Sequence, residues 1–234
     1  MVGALSGICE CGRGDEGYIK SELVSCVKTL FSKGYVSSGG GNHSVRLRDG
    51  SNASHIWITP SGYPRSHLTV DDLVLIDIDG NMLRGDLRPS IEVPFHTQIY
   101  RVRDDVSAVS HAHSPYSHAL IQTLRIVEVD GHTGVFGLNC SGLSSSPSQQ
   151  LPLSIPPVIH NLLILEYRQL GSRALARLVG DAFSISNGVK ILVLLDHGVI
   201  GIGRCIHEAV MHVQLLEEWA RCVTIAYRLD KASK

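Results

Sequence analysis

This chain has no excess of charge of either sign, no uninterrupted apolar run and little cysteine, and each shortage removes a class of function. Its 21 Lys and Arg nearly balance 22 Asp and Glu, leaving a net charge of −1. No basic stripe is concentrated anywhere, so wholesale binding to nucleic acid or to an anionic membrane surface is not expected. The apolar stretch Leu151–Tyr167 is broken by three prolines, His160 and Asn161, which disqualifies it as a membrane span. The six cysteines (Cys9, Cys11, Cys26, Cys140, Cys205 and Cys222) are too few and too scattered for a disulfide framework in 234 residues. Cys9-x-Cys11 lacks the partner spacing of a metal site, and no cysteine stands in a persuasive nucleophile context. Neither a Walker sequence nor a G-x-S-x-G elbow is present. The N-terminus has no basic region and only a short apolar run before Glu10, so no secretory signal is expected and the cytoplasm is the expected location.

What remains suffices for one substantial core, with 44% hydrophobic residues. Residues 1–17 read as a loose, glycine-rich N-terminal segment, and 18–234 as a single domain. Between Tyr18 and Ser32 apolar residues recur at Ile19, Leu23, Val24, Val27, Leu30 and Phe31, the spacing of an amphipathic helix. Ser37–Asn42 is too glycine-rich for regular structure. Alternating Val45-Arg46-Leu47-Arg48, then Ile56–Thr59 and Leu73–Ile78, read as strands, the last ending in a hairpin signal at Asp79-Gly80. Glu92–Arg103 predicts a helix with Pro94 in its first turn. Ala108–His113 predicts a strand, 117–124 a short helix and Arg125–Val129 another strand. Asn139–Gln150 is a serine-rich loop, and prolines make Leu151–Val158 extended. Ser172–Phe183 and Ile206–Leu229 predict helices; Lys190–Leu195 and Val199–Ile202 predict strands. Helices bracketing mostly hairpin-linked strands argue for an α/β sandwich with a largely antiparallel central sheet.

The chemistry concentrates in His111-Ala112-His113. Side chains two apart on a strand share a face, so both imidazoles can aim at one point. His197, in Leu195-Asp196-His197-Gly198 at the end of a second strand, supplies a third nitrogen, and Gly198 suits a backbone that must pass close by. Glu92, opening its helix, is the fourth candidate. Such a set suits Zn²⁺, with bonds of roughly 2.0–2.2 Å. Alone, Glu92 would read as a helix-start carboxylate held by the dipole. His96, one turn on, shares its face and makes an E-x-x-x-H pair conceivable, although a packing or supporting role is commoner. Gly39-Gly40-Gly41-Asn42 and Thr59-Pro60-Ser61-Gly62 offer unobstructed amides and hydroxyls for an anion, and Ser90 precedes a helix N-terminus.

Read in order, Gly41-Asn42-His43-Ser44, Ile58-Thr59-Pro60-Ser61-Gly62, Pro89-Ser90-x-Glu92, His96-x-x-x-Tyr100, Val109-Ser110-His111-Ala112-His113-Ser114 and His197-Gly198 resemble the class II aldolase/adducin family, most closely the fuculose-phosphate-type aldolases. The resemblance spans about 18–228. It implies a three-layer α/β/α sandwich and a homotetramer with sites at subunit interfaces. It also implies Zn²⁺, or another divalent ion such as Mn²⁺ or Co²⁺. His111, His113 and His197 match the family's metal histidines. Glu92 matches the carboxylate that is both ligand and catalytic base. Asn42, Ser61, Gly62 and Ser90 match the groups that hold a substrate phosphate. The implied reaction splits a phosphorylated ketose into dihydroxyacetone phosphate and an aldehyde through a metal-stabilised enediolate. Related chemistry on the same site includes pentulose-phosphate 4-epimerisation, methylthioribulose-phosphate dehydration and oxo-acid decarboxylation. The expected partner is a small phosphorylated sugar, without nucleic acid or membrane.

Three departures stand out. Ile91 replaces a second phosphate-binding serine. The segment between His113 and His197 is long, and a count from His113 puts His132 near the place of the family's catalytic tyrosine. The sequence also ends soon after Tyr227, without the tyrosine-bearing extension. A non-catalytic adducin-like interaction module is the competing class, and the intact histidines and Glu92 argue against it.

Overall fold

The computed structural model describes residues 15–47, 55–122, 126–129, 131–138 and 156–232. The serine-rich 139–150, Cys9, Cys11 and Asp49-Gly50, where the sequence predicts a turn, lie outside them. Among the described residues ten strands form one sheet: β1 (Asn42–Leu47), β2 (His55–Ile58), β3 (Val74–Ile76), β4 (Met82–Arg84), β5 (Ala108–Ala112), β6 (Ile126–Glu128), β7 (Val135–Leu138), β8 (Leu163–Leu165), β9 (Ile191–Leu194) and β10 (Gly198–Gly203). Their spatial order is β4-β3-β2-β1-β5-β10-β9-β8-β7-β6. Every pairing is antiparallel except β8 with β9, which is the largely antiparallel sheet expected from sequence.

The described residues also form six helices: α1 (Glu16–Ser32), α2 (Val93–Val102), α3 (Pro115–Ile121), α4 (Pro157–His160), α5 (Arg173–Ile185) and α6 (Ile206–Ala232). Alternation along the strands gives the sheet two apolar faces. Val45, Trp57, Ala108, Ala112, Val193 and Val199 pack against α1 and α6. Ile56, Ile58, Val109, Leu192, Ile200 and Ile202 pack against α2 and α5. These are the three layers of an α/β/α sandwich.

Several boundaries follow from identifiable contacts. Asp15 caps α1, its carboxylate accepting from the Tyr18 amide at 3.4 Å, so the helix begins two residues before the apolar pattern. The α3 N-terminus is capped from a distance. Buried Glu217 on α6 accepts from the Tyr116 and Ser117 amides (3.0 and 2.7 Å) and from the Ser117 hydroxyl at 2.7 Å. This fixes the chain immediately after His113.

The alternation in Val45-Arg46-Leu47 does not put a solvated side chain at Arg46. Arg46 is buried, and its guanidinium donates to the Tyr100, Arg103 and Asp104 carbonyls at 2.9, 3.1 and 3.1 Å. It thereby caps the C-terminal end of α2. Val158, expected to be extended, lies in the one-turn helix α4, because Pro157 suits a first helical position. Strands β7 and β8, which carry no clear alternation, were not expected.

Candidate metal centre

β5, β10 and the turn before β10 lie side by side at the centre of the sheet. Asn42, His111 and Ile200 are register partners across β1, β5 and β10, so the two outer residues flank His111 directly. His113 falls one residue beyond the end of β5, and its ring still reaches the cluster. His197 is delivered by a tight turn in which Asp196 adopts φ 56°, a left-handed conformation that aspartate tolerates. Gly198 follows because nothing larger fits. A Cβ there would stand 2.5 Å from the Ala112 carbonyl oxygen and 3.0 Å from ring carbons of both His111 and His113.

The three Nε2 atoms converge. His111 Nε2 lies 3.1 Å from His113 Nε2 and 3.2 Å from His197 Nε2. Glu92 joins them, Oε2 at 3.3 Å from His111 Nε2 and Oε1 at 3.2 Å from His197 Nε2. His111 Nδ1 faces the Val199 carbonyl at 3.0 Å, which requires a proton on Nδ1 and leaves the Nε2 lone pair pointing at the other ligands. Burial, reinforced by mutual repulsion, holds His111 well below the ordinary histidine value and His197 at about 4. Desolvation also lowers His113. At neutral pH the three imidazoles are therefore uncharged, the form in which they ligate a metal. Glu92 Oε1 is buried without a hydrogen bond despite its closeness to His197. Two ligands on a tetrahedral ion with bonds of roughly 2.0–2.1 Å stand about 3.3 Å apart, so these donors fit a small divalent cation.

Glu92 sits at the N-cap of α2 and makes no side-chain capping bond, so its carboxylate is not spent on capping the helix. Oε2 instead accepts from Asn42 Nδ2 at 2.7 Å. Asn42 Oδ1 meets His96 Nε2 at 2.6 Å, His96 Nδ1 meets Ser44 Oγ at 2.7 Å, and Ser44 Oγ meets the Tyr100 hydroxyl at 2.7 Å. Once Asn42 donates to the carboxylate, every link has one polarity. Tyr100 donates to Ser44, Ser44 to His96, and His96 through Nε2–H to Asn42. His96 is thus a support for Glu92 and not a metal ligand. Ser44 and Tyr100 are functional candidates that sequence reasoning missed. They are recognisable only when β1 and α2 are packed together.

The expected anion groups occupy three touching loops. Gly39 packs on the Gly62 carbonyl, with 3.4 Å from its would-be Cβ, and Pro60 bridges to Pro89. Ser61 has its amide engaged by the Arg88 carbonyl at 2.9 Å, leaving its hydroxyl to offer. Ser90 Oγ accepts from the Glu92 amide at 3.2 Å and keeps its own proton. The Ile91 side chain, in place of the second serine, is 62% exposed. His132 does not meet the histidines of its own chain. It occupies the turn before β7, three strands from β10, roughly 14 Å at about 4.8 Å per strand.

A family model for the class II aldolase and adducin N-terminal domain matches residues 21–224. The chain belongs to that family. It is 29% identical over 204 residues to an L-fuculose phosphate aldolase of Methanococcus maripaludis, covering 86% of this chain and 93% of the relative. A 3-oxo-tetronate 4-phosphate decarboxylase of Haemophilus influenzae is 28% identical over 205 residues, covering 86% of this chain and 85% of its own. A solved L-fuculose 1-phosphate aldolase superposes with a TM-score of 0.70 at 25% identity, covering 92% of this chain and 89% of its own. Both curated relatives are lyases, and this member of the class II aldolase family is a lyase-type enzyme. Among the described residues no helix is long and apolar enough to cross a membrane.

Burial of so many imidazoles gives the fold an acid-side weakness. His43, His96, His111, His113, His197 and His212 are all held below the ordinary histidine value, chiefly by desolvation. The unfolded chain takes up protons near pH 6.5 that the folded chain refuses until far lower, about 3 at His96. Stability present above that range is lost as pH falls through it. Glu92, raised to about 7 by burial, acts oppositely: its penalty is present above 7 and relieved toward 4.5. One group does not offset six. Denaturant titrations of the metal-free chain between pH 6.5 and 4.5 should show a slope of at least about 1.4 kcal/mol per pH unit, the value of one net proton. A flat profile would contradict the buried-neutral assignment.

Proposed function

We propose that the chain is a metal-dependent aldehyde-lyase that cleaves a phosphorylated ketose of the fuculose-1-phosphate type into dihydroxyacetone phosphate and an aldehyde. The observation that carries this reading is the convergence of His111, His113, His197 and Glu92 on one point. A divalent cation held by them, with Zn²⁺ the best match to three nitrogens and a carboxylate, supplies Lewis-acid stabilisation of negative charge developing on substrate oxygen.

The rest falls to the chain itself. Glu92 is the base: Asn42 fixes Oε2 and leaves Oε1 to face the reacting atoms. A carboxylate so positioned both accepts a proton and returns it. Asn42 retains one N–H beyond those already engaged. With the Ser61 and Ser90 hydroxyls and the Gly62 amide it holds the phosphate, remote from the bond that breaks, and so orients the substrate. We further assign a homotetramer. The side chains of Ile91 and Leu170 are exposed beside the site, and the Ile91 carbonyl packs against Gly171, which gives the rim an apolar surface suited to a neighbouring subunit. A cytoplasmic location accompanies this assignment.

The test is turnover on a panel comprising fuculose 1-phosphate, a pentulose phosphate, methylthioribulose 1-phosphate and a 3-oxo-tetronate phosphate. Each substrate is assayed before chelation, after it, and after zinc is restored. Cleavage of the ketose phosphate should vanish with chelator and return with metal. Turnover indifferent to chelation would defeat the metal reading; exclusive turnover of another panel member would reassign the reaction.

A further inference from the structure

Three arginines are almost fully buried among the described residues, and two of them have a carboxylate within ion-pair distance. Arg103 pairs with Asp105 at 2.7 Å, and Arg46 lies 3.8 Å from Asp104. Arg65, 1% exposed, has none. Its guanidinium donates only to carbonyls: Nε to Gly40 at 3.1 Å, Nη1 to Pro60 at 3.2 Å and Nη2 to Gly41 at 2.5 Å. Its amide donates to the Ser38 carbonyl at 2.8 Å. Carbonyls satisfy N–H groups but do not neutralise a full charge, and an uncompensated buried cation is costly.

The position of this charge gives it a use. The carbonyls it grips belong to the glycine loop ending at Asn42 and to the Pro60–Gly62 turn, so Arg65 clamps together two of the three loops assigned to phosphate. Its field reaches His43, next to Asn42, which it helps to keep unprotonated. Burial alone lowers its own value, to about 10, with no acidic group offsetting the cost.

We infer that Arg65 is the buried counter-charge for a dianionic group on the substrate, a phosphate monoester, and selects it over monoanionic and neutral analogues. The inference rests on the phosphorylated-substrate reading above and adds a residue that neither the motifs nor that reading assigned. Arg65 acts through its field and the loops it clamps, as a positioning residue without direct contact.

Isothermal titration of the metal-loaded protein with inorganic phosphate at constant ionic strength tests it. Arg65→Gln should weaken phosphate binding about 10- to 100-fold, the effect of one charge at short range in a partly shielded interior. Arg65→Lys, which keeps the charge, should stay within about 3-fold of wild type by the same argument. KM for the phosphorylated ketose should rise in Arg65→Gln, with little change for the dephosphorylated sugar. Unchanged phosphate affinity in Arg65→Gln would overturn the inference, and so would an Arg65→Lys as weak as Arg65→Gln, since the clamp alone would then suffice. Should both variants misfold, wild type decides: it should prefer a phosphate monoester to dimethyl phosphate by at least about 10-fold, and equal affinity refutes the counter-charge. If wild type binds no phosphate at all, the phosphorylated-substrate reading falls too, whereas metal-dependent turnover of unphosphorylated sugars would survive.

Discussion

Replacing Glu92 by glutamine should lower turnover by about 10²- to 10⁴-fold, the usual worth of a positioned general base, while leaving the fold intact. The substitution is nearly isosteric, and the side-chain oxygen that remains still accepts from Asn42, 2.7 Å away in the native chain. It removes a carboxylate that burial makes costly, so the metal-free variant should melt at or above the native temperature at pH 8, where that cost is fully present. The three imidazoles remain, and most of the metal should stay bound. Kinetics, metal analysis and a melting curve on one preparation separate the roles. A fully active variant means that the base has been misassigned. An inactive variant that has also lost its metal would make Glu92 a ligand first and a base second.

His197→Ala should act on the other half of the site. His197 stands on a turn, its ring meets the His111 and His113 rings, and its Nδ1 has no hydrogen-bond partner, so its loss breaks no hydrogen bond at that nitrogen. Loss of an outer-shell partner alone costs metal sites about 10- to 100-fold in affinity, and loss of a direct ligand should exceed that. Activity should fall to background at ordinary zinc concentrations, with the melting temperature of the metal-free chain nearly unchanged. Zinc binding measured by competition with a chromophoric chelator reads the effect directly. Native affinity in this variant would remove His197 from the coordination set.

The histidines were legible because their signal is local. His111 and His113 are two apart at a strand end, and His197 adjoins the one residue type that the crowded backbone accepts at 198. Glu92 was legible through its place before a helix, although the structure gives a different reason for it, since it caps nothing. His96 was legible as a packing or supporting histidine one turn from Glu92, but the chain of supports it belongs to was not. Ser44, His96 and Tyr100 form a chain only because alternate β1 residues face one turn-spaced side of α2, and no short-range pattern encodes that meeting. Arg46 and Arg65 illustrate the same limit from the charge side. An arginine in a strand or beside a proline reads as solvated until the carbonyls that surround it are known. The sheet was recognised in kind but not in extent, because strands as short as β8 (Leu163–Leu165) lack the length for alternation to show.

The two central strands, β5 and β10, have consequences for how this enzyme survives partial opening. The β3–β4 and β6–β7 hairpins at the two margins of the sheet should fray and exchange their amides with solvent first, while the imidazoles stay on or at the ends of the two central strands. A cation gripped there acts like a rivet through the middle of a plank. Its occupancy adds to the whole molecule's resistance by mass action, about 2.7 kcal/mol at a hundred times the dissociation constant, and leaves the margins as supple as before.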